Sequence, residues 1–292
     1  MNKFEMPDFY FRDSITNEQL EFFNKHGIIQ FKNFVDKTTV SSFLKEVGEV
    51  QRELLDSHTK KVNGIPLKFG VDIDGSELIQ RIAFTSFYSK RLKEFLSEKK
   101  LEKILDLMGP YDGRIGENEK DGLVFNHYVN SAASKFTQLG WHTDSPRDLF
   151  LGSRILPMLN IGLHLDDCHS GNGGLRVIPG THKQGLLSML FRKKYFVDNK
   201  PDKKEVGFDI EAGDLTVHDG RLWHRVQQSS LTGEASRRRV MYFPAITGSY
   251  HPKNATSATP FYHKLAQIKD QGLTGKLNWV PLGVRLRLKA KA

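Results

Sequence analysis

Gly213-Asp214-Leu215-Thr216-Val217-His218-Asp219-Gly220-Arg221-Leu222-Trp223-His224 is the stretch on which the fold turns. Leu215 and Val217 alternate with Thr216 and His218, Asp219-Gly220 reverses the chain, and His224 follows the turn. Alternation of this kind predicts a strand with one buried face, and Asp-Gly is a turn signal. The texture continues on both sides. Short apolar runs cover Leu123–Val129, Leu159–Leu165, Leu175–Pro179 and Arg239–Pro244, with turns at Gly171-Asn172-Gly173-Gly174 and Pro179-Gly180. Several short strands with such punctuation predict a β-sandwich or barrel over about residues 120–247.

Farther out, the first 110 residues read mainly helical. Thr16 caps a helix through Lys25 that His26-Gly27 stops, and Ile28–Phe31 is a short strand. From Lys37 to about Leu55, Val40, Phe43, Leu44, Val47, Val50 and Leu54 keep one helical face apolar. Ile79–Phe84 reads as extended, and Lys90–Met108 as a helix ended by Gly109-Pro110. Near the end, Val284, Leu286 and Leu288 alternate with Arg285, Arg287 and Lys289, a strand with one wet face. The expectation is an α+β protein of one domain over residues 1–292: helical flank to about 110, β core, and an extension from 248.

Composition removes several classes. The chain has 292 residues and 20 Phe, 8 Tyr and 3 Trp spread along it, too many for a disordered protein. One cysteine, Cys168, excludes a disulfide scaffold and reads as a strand-end thiol. The most apolar stretch, Leu149–Leu165, is broken by Arg154, Pro157, Asn160 and His164, so no membrane span is expected. Asp8, Arg12, Asp13 and Glu18 leave no apolar signal core, which predicts a cytoplasmic location. The net charge is +9, and Lys276, Arg285, Arg287, Lys289 and Lys291 concentrate part of it at the end. Without a recognition motif this charge does not predict nucleic-acid binding; an anionic small molecule is the better partner. Oligomeric state is not written in the sequence.

The histidines carry the chemistry. Redox-active iron needs two imidazoles and a carboxylate on one side, with the opposite positions open. On an extended segment, residues i and i+2 share a face, so His-x-Asp supplies two donors at once. Two segments qualify, His142-Thr143-Asp144 and His164-Leu165-Asp166, and both His218 and His224 qualify as the third donor. Arg238, inside Arg237-Arg238-Arg239-Val240-Met241-Tyr242-Phe243, is an arginine in an apolar β segment; buried there, its fork needs an anion. Arg237 and Arg239 read as surface charges.

In order, Trp141-His142-Thr143-Asp144, Gly171-Asn172-Gly173-Gly174-Leu175-Arg176-Val177-Ile178-Pro179-Gly180-Thr181-His182, Gly213-Asp214 leading to Trp223-His224, and Arg238 resemble the phytanoyl-CoA dioxygenase family. The likeness extends to Thr16-Asn17-Glu18-Gln19 and Gly27-Ile28-Ile29 and covers roughly residues 15–245. It implies a double-stranded β-helix (jelly-roll) core and an Fe(II)- and 2-oxoglutarate-dependent dioxygenase that consumes O2 and releases succinate and CO2. It further implies His142, Asp144 and His224 as iron ligands and as the catalytic set, with Arg238 on the distal carboxylate of 2-oxoglutarate. His164 and Asp166 lose their claim. His218 stands where the family usually has an apolar or aromatic residue, and Val226 where a small polar one is usual. Asn126 and Asn130 match the spacing of two cosubstrate-binding residues in related hydroxylases; otherwise they are turn and edge residues. Asp144 excludes a halogenase, whose chloride takes that position. Hydroxylation of a polar or anionic metabolite is the expected outcome, with the loop Ser145-Pro146-Arg147-Asp148 and the insert Lys183–Lys204 bordering the mouth. A non-catalytic, metal-binding cupin-like sensor is the alternative.

Overall fold

The structure is a computed structural model that describes residues 4–132, 134, 137–145 and 155–260. The chain enters through α1 (Asn17–His26). Thr16 and Gln19 close a reciprocal capping box at its start, and Gly27 ends it in the left-handed conformation with φ 76°. A Cβ at Gly27 would fall 2.4 Å from the His182 ring, so this stop also lets a distant turn pack closely. β1 (Ile28–Phe31) follows, then α2 (Lys37–Asp56), which Asp36 caps by accepting from Thr39 N at 2.6 Å. A short hairpin, β2 (Lys61–Val62) and β3 (Ile65–Pro66), precedes β4 (Lys68–Val71) and β5 (Glu77–Ile82). Two short helices come next, α3 (Lys90–Leu96) and α4 (Lys99–Ile104), the latter continued as a 3-10 turn to Met108.

The remaining strands are β6 (Arg114–Ile115), β7 (Val124–Tyr128), β8 (Leu139–His142), β9 (Met158–His164) and β10 (Gly174–Val177). After helix α5 (Leu186–Phe191) come β11 (Leu215–Asp219), β12 (His224–Gln227) and β13 (Arg238–Ile246). The large sheet runs β1-β11-β9-β13-β7-β5-β4 with β6 on β13, and the small one β10-β12-β8; all their pairings are antiparallel. This is the jelly-roll arrangement, an antiparallel sandwich with helices on one face.

Alternation divides the large sheet. Phe125, Ile161, Leu163, Leu215, Val217, Met241 and Phe243 point outward and share one core with Val40, Phe43, Val47, Val50 and Leu54 of α2 and with Leu92, Phe95, Leu101 and Ile104. Burying each such side chain stabilises the fold by ~1.5–3 kcal/mol relative to exposing it. The intervening residues, among them Asn126, Tyr128, Asn160, His164, Thr216, His218, Arg238 and Tyr242, therefore face inward toward the small sheet.

Two expectations need correction. Lys90–Met108 is not one helix: Glu98 adopts extended angles between α3 and α4. Leu96 and Leu101 are five residues apart, which on a continuous helix would put them about 140° apart. The break rotates Leu101 and Ile104 back onto the core that buries Phe95 and Leu96. The N-terminal part is also less helical than expected, because β4 and β5 extend the large sheet. The segment expected as extended to Phe84 stops at Ile82, and Phe84 has φ 54°. The C-terminal strand expected around Val284–Lys289 lies outside the described residues. Among the described residues, no helix is long and apolar enough to cross a membrane.

Candidate active site

The site forms where the small sheet closes against the large one. β8 and β12 pair so that His142 lies directly opposite His224. Beyond His142 the chain is pinned to the turn after β11: Asp144 N and Ser145 N both donate to Gly220 O, at 2.7 and 2.9 Å. This brings Asp144 beside the two imidazoles. His142, Asp144 and His224 are all buried, and one ligand-capable atom from each lies within 4.8 Å of the others. His164-Leu165-Asp166 is not part of this cluster. His164 Nε2 is 3.0 Å from Thr216 Oγ1, and Asp166 is committed to Arg239 by bonds of 2.6 and 2.8 Å.

Backbone carbonyls orient both rings. His142 Nδ1 lies 2.7 Å from Gly140 O, and His224 Nδ1 lies 3.0 Å from Leu222 O. A carbonyl only accepts, so Nδ1 carries the proton and Nε2 keeps its lone pair. Burial, and then the neighbouring His142 and His218, push the His224 pKa well below the ordinary histidine range, which keeps that ring neutral. Asp144 Oδ2 accepts from Asn160 Nδ2 at 2.9 Å and lies 3.7 Å from His224 Nε2. Two buried nitrogen donors and one carboxylate are a donor set that suits Fe(II), so the residues fit the metal implied by the sequence.

A second layer holds the strand that carries His142. Phe196 stacks on His142 with ring centres 4.7 Å apart, while its own backbone sits at φ 58°. Phe196 N donates to Trp141 O at 2.9 Å, and Trp141 N donates to Asp198 O at 2.8 Å. A Cβ at Gly140 would lie 2.8 Å from the Phe196 carbonyl carbon, so only glycine lets this segment lie against β8. Between His142 and Asp144, Thr143 Oγ1 is 2.7 Å from the Tyr195 hydroxyl, which donates to Met189 O.

Arg238, at the start of β13, points to the interior and is 6 % exposed. Its Nη1 donates to Gln227 O at 3.0 Å and its Nη2 to Thr137 O at 3.4 Å, while Nε has no partner. Among the described residues no carboxylate pairs with it. Arg237 and Arg239, in contrast, are neutralised by Asp72 and Glu234 and by Asp166. Arg238 lines a narrow cavity with Tyr128, Cys168, Val226, Val240 and Tyr242. Val226 is two residues beyond His224 on β12, so this cavity begins one side chain along the strand from the histidine cluster.

Asn126 lies on the inward face of β7, opposite Val240. Asn130 lies beyond that strand, and its amide donates to Ser229 O and Leu231 O at 3.1 and 2.9 Å. Its Oδ1 in turn accepts from Gln228 Nε2 at 3.1 Å, so its carboxamide is bonded within this loop. Cys168 is buried and lines the cavity beside Arg238. Arg147 and the rest of its loop after Ser145 lie outside the described residues. In the insert, Lys183, Arg192 and Lys204 line an open cleft of about 320 Å³ with Thr181 and Gln184. Among the described residues neither Lys183 nor Lys204 pairs with a carboxylate, while the Arg192 charge acts on Asp202, which Lys193 also pairs. Sequence reasoning missed Asn160 and Phe196. Asn160 continues the inward period of Gly162 and His164, a signal that was legible; nothing local announces that Phe196 meets His142.

Comparison with known proteins places this geometry. Residues 23–238 match the family described as Phytanoyl-CoA dioxygenase (PhyH). No curated protein matches the chain. Among solved structures, HygX from Streptomyces hygroscopicus with nickel and 2-oxoglutarate bound is similar, with TM-score 0.57 and 15% identity over 82% of this chain and 89% of that one. The non-heme alpha ketoglutarate dependent epimerase SnoN from nogalamycin biosynthesis gives TM-score 0.58 and 15% identity over 83% and 91%. AviO1 from Streptomyces viridochromogenes Tue57 gives 0.56 and 16% over 82% and 99%. These identities speak for the fold. The family match, over most of the chain, carries the further conclusion that the protein belongs to the phytanoyl-CoA dioxygenase family of Fe(II)- and 2-oxoglutarate-dependent oxygenases.

Proposed function

We propose that His142, Asp144 and His224 hold Fe(II), that Arg238 receives the distal carboxylate of 2-oxoglutarate, and that the enzyme oxidises an anionic small metabolite. The observation that carries this reading is the buried cluster of two oriented imidazoles and one carboxylate within 4.8 Å. Fe(II) held there would supply the redox chemistry of the class, by which O2, 2-oxoglutarate and substrate would give succinate, CO2 and oxidised product.

The chain's own residues do the rest. Gly140 O and Leu222 O fix the tautomers of the two histidines, and Asn160 fixes the carboxylate. Arg238 offers a buried guanidinium that pairs with no carboxylate among the described residues, Asp166 in the same cavity being held by Arg239, and a carboxylate entering the cavity would complete it with charge-assisted bonds. Tyr128, Val226 and Val240 wall that cavity on its apolar side. Lys183, Arg192 and Lys204 support an anionic substrate, because an open cleft lined by three cations attracts negative charge. The reaction expected is hydroxylation. Solved structures of similar fold include an epimerase and a carbocyclase, so placement of the substrate over the same chemistry sets the outcome.

The test is succinate formation by purified protein supplied with Fe(II), ascorbate and 2-oxoglutarate in air. Slow uncoupled turnover without substrate is expected, and it should vanish in His224→Ala. Equal succinate with and without oxygen, or none at all, would overturn the reading.

A further inference from the structure

His218 has no part in the scheme above, yet it sits against it. It lies on β11 opposite Asn160 of β9, and its ring is 4.3 Å from that of His224. The residue is 1 % exposed, and neither ring nitrogen has a hydrogen-bond partner among the described residues. A neutral imidazole carries one donor and one acceptor, and buried polar atoms rarely stay empty. Asp144 Oδ2 is an acceptor within reach, 3.4 Å from His218 Nε2. The same oxygen already accepts from Asn160 Nδ2 at 2.9 Å. Turning the ring so that Nε2–H aims at this oxygen, with a shift of about half an ångström, turns the longer contact into an ordinary hydrogen bond.

We infer that His218 is a positioning residue for the carboxylate ligand: it donates Nε2–H to Asp144 Oδ2, and with Asn160 it clamps that oxygen from two sides. The clamp holds Asp144 in one orientation toward His142 and His224 before the metal arrives. An apolar residue at this position would take this donor away from the carboxylate. This inference rests on the proposed metal role of the three residues, and the test separates the two.

The measurement is Co(II) binding to the metal-stripped, full-length protein, followed by calorimetry and by the visible absorption of the bound ion. Wild type should bind one Co(II), and His224→Ala should abolish binding; failure here sinks the metal site itself. Given that site, His218→Phe keeps ring volume without a donor. It should weaken Co(II) about 10- to 100-fold, the range for lost outer-shell hydrogen bonds, and shift the absorption bands. His218→Gln, whose amide N–H reaches about where Nε2 stands, should recover most of the affinity. Equal affinities for wild type and His218→Phe would overturn the clamp. So would X-ray absorption showing one imidazole fewer around cobalt in His218→Phe, since His218 would then be a ligand. A measurement on the unmutated protein guards against misfolding of the variants. In Zn(II)-loaded, 15N-histidine-labelled protein, His218 should show a proton on Nε2; a proton on Nδ1 alone would refute the inference.

Discussion

Replacing Arg238 by Met tests the cosubstrate assignment and separates it from a purely structural role. The guanidinium is buried, donates to two backbone carbonyls, leaves Nε empty and has no carboxylate partner among the described residues. An entering carboxylate therefore meets an uncompensated charge in a site shielded from water. Removing one member of such a hydrogen-bonded charge pair costs ~2–5 kcal/mol of binding. At about 1.4 kcal/mol per decade, 2-oxoglutarate should bind roughly 30- to several-thousand-fold more weakly. Folding should suffer less, because the substitution also relieves the burial of an unpaired cation. Arg238→Lys keeps the charge but not the planar fork, so its affinity should fall between the two. The assay is the concentration dependence of succinate formation, paired with thermal unfolding of each variant. If Arg238 only props the Gln227 and Thr137 carbonyls, Met will lower the Tm and leave the 2-oxoglutarate KM within threefold of wild type. That result would refute the reasoning.

Asn160→Ala removes one hydrogen bond from Asp144 and should weaken metal binding about 10-fold or more, measured by Mn(II) titration of the stripped protein. Gly140→Ala pushes a methyl into the Phe196 backbone; the segment around Phe196 must move, and protease sensitivity near residue 196 should rise while α1 and α2 stay intact by circular dichroism. Reversing charge with Arg192→Glu and Lys204→Glu should raise the KM of an anionic substrate and leave uncoupled turnover unchanged; an unchanged substrate KM would argue against the cleft. Burial lowers the pKa of His164 to about 4, and burial with the Arg237 charge lowers that of His127 to about 3. Both lie below the unfolded value near 6.5, so the unfolded chain binds more protons once the pH drops below it. Stability should therefore be fully present above about pH 6.5 and fall progressively toward pH 4, and urea midpoints should lose less over that window in His164→Asn.

Much of the architecture is written locally. The capping box at Thr16 and Gln19, the stop at Gly27 and the apolar face from Val40 to Leu54 each act within a few residues, so α1 and α2 follow from sequence alone. Short apolar runs between turn signals likewise reveal β1, β7, β9, β11 and β13, and the order of the histidine and glycine motifs reveals the family. Spacing did not choose between two His-x-Asp segments or between His218 and His224. That choice depends on which strands pair. The antiparallel register of β8 on β12 puts His142 opposite His224, and the bonds from Gly220 O draw Asp144 toward both. Asn160, Phe196 and the empty nitrogens of His218 belong to the same category. The side chains they meet at the site, Asp144 and His142, lie 16 to 74 residues away along the chain. Periodicity reports which face a side chain occupies; only the packing of two sheets decides what stands across from it.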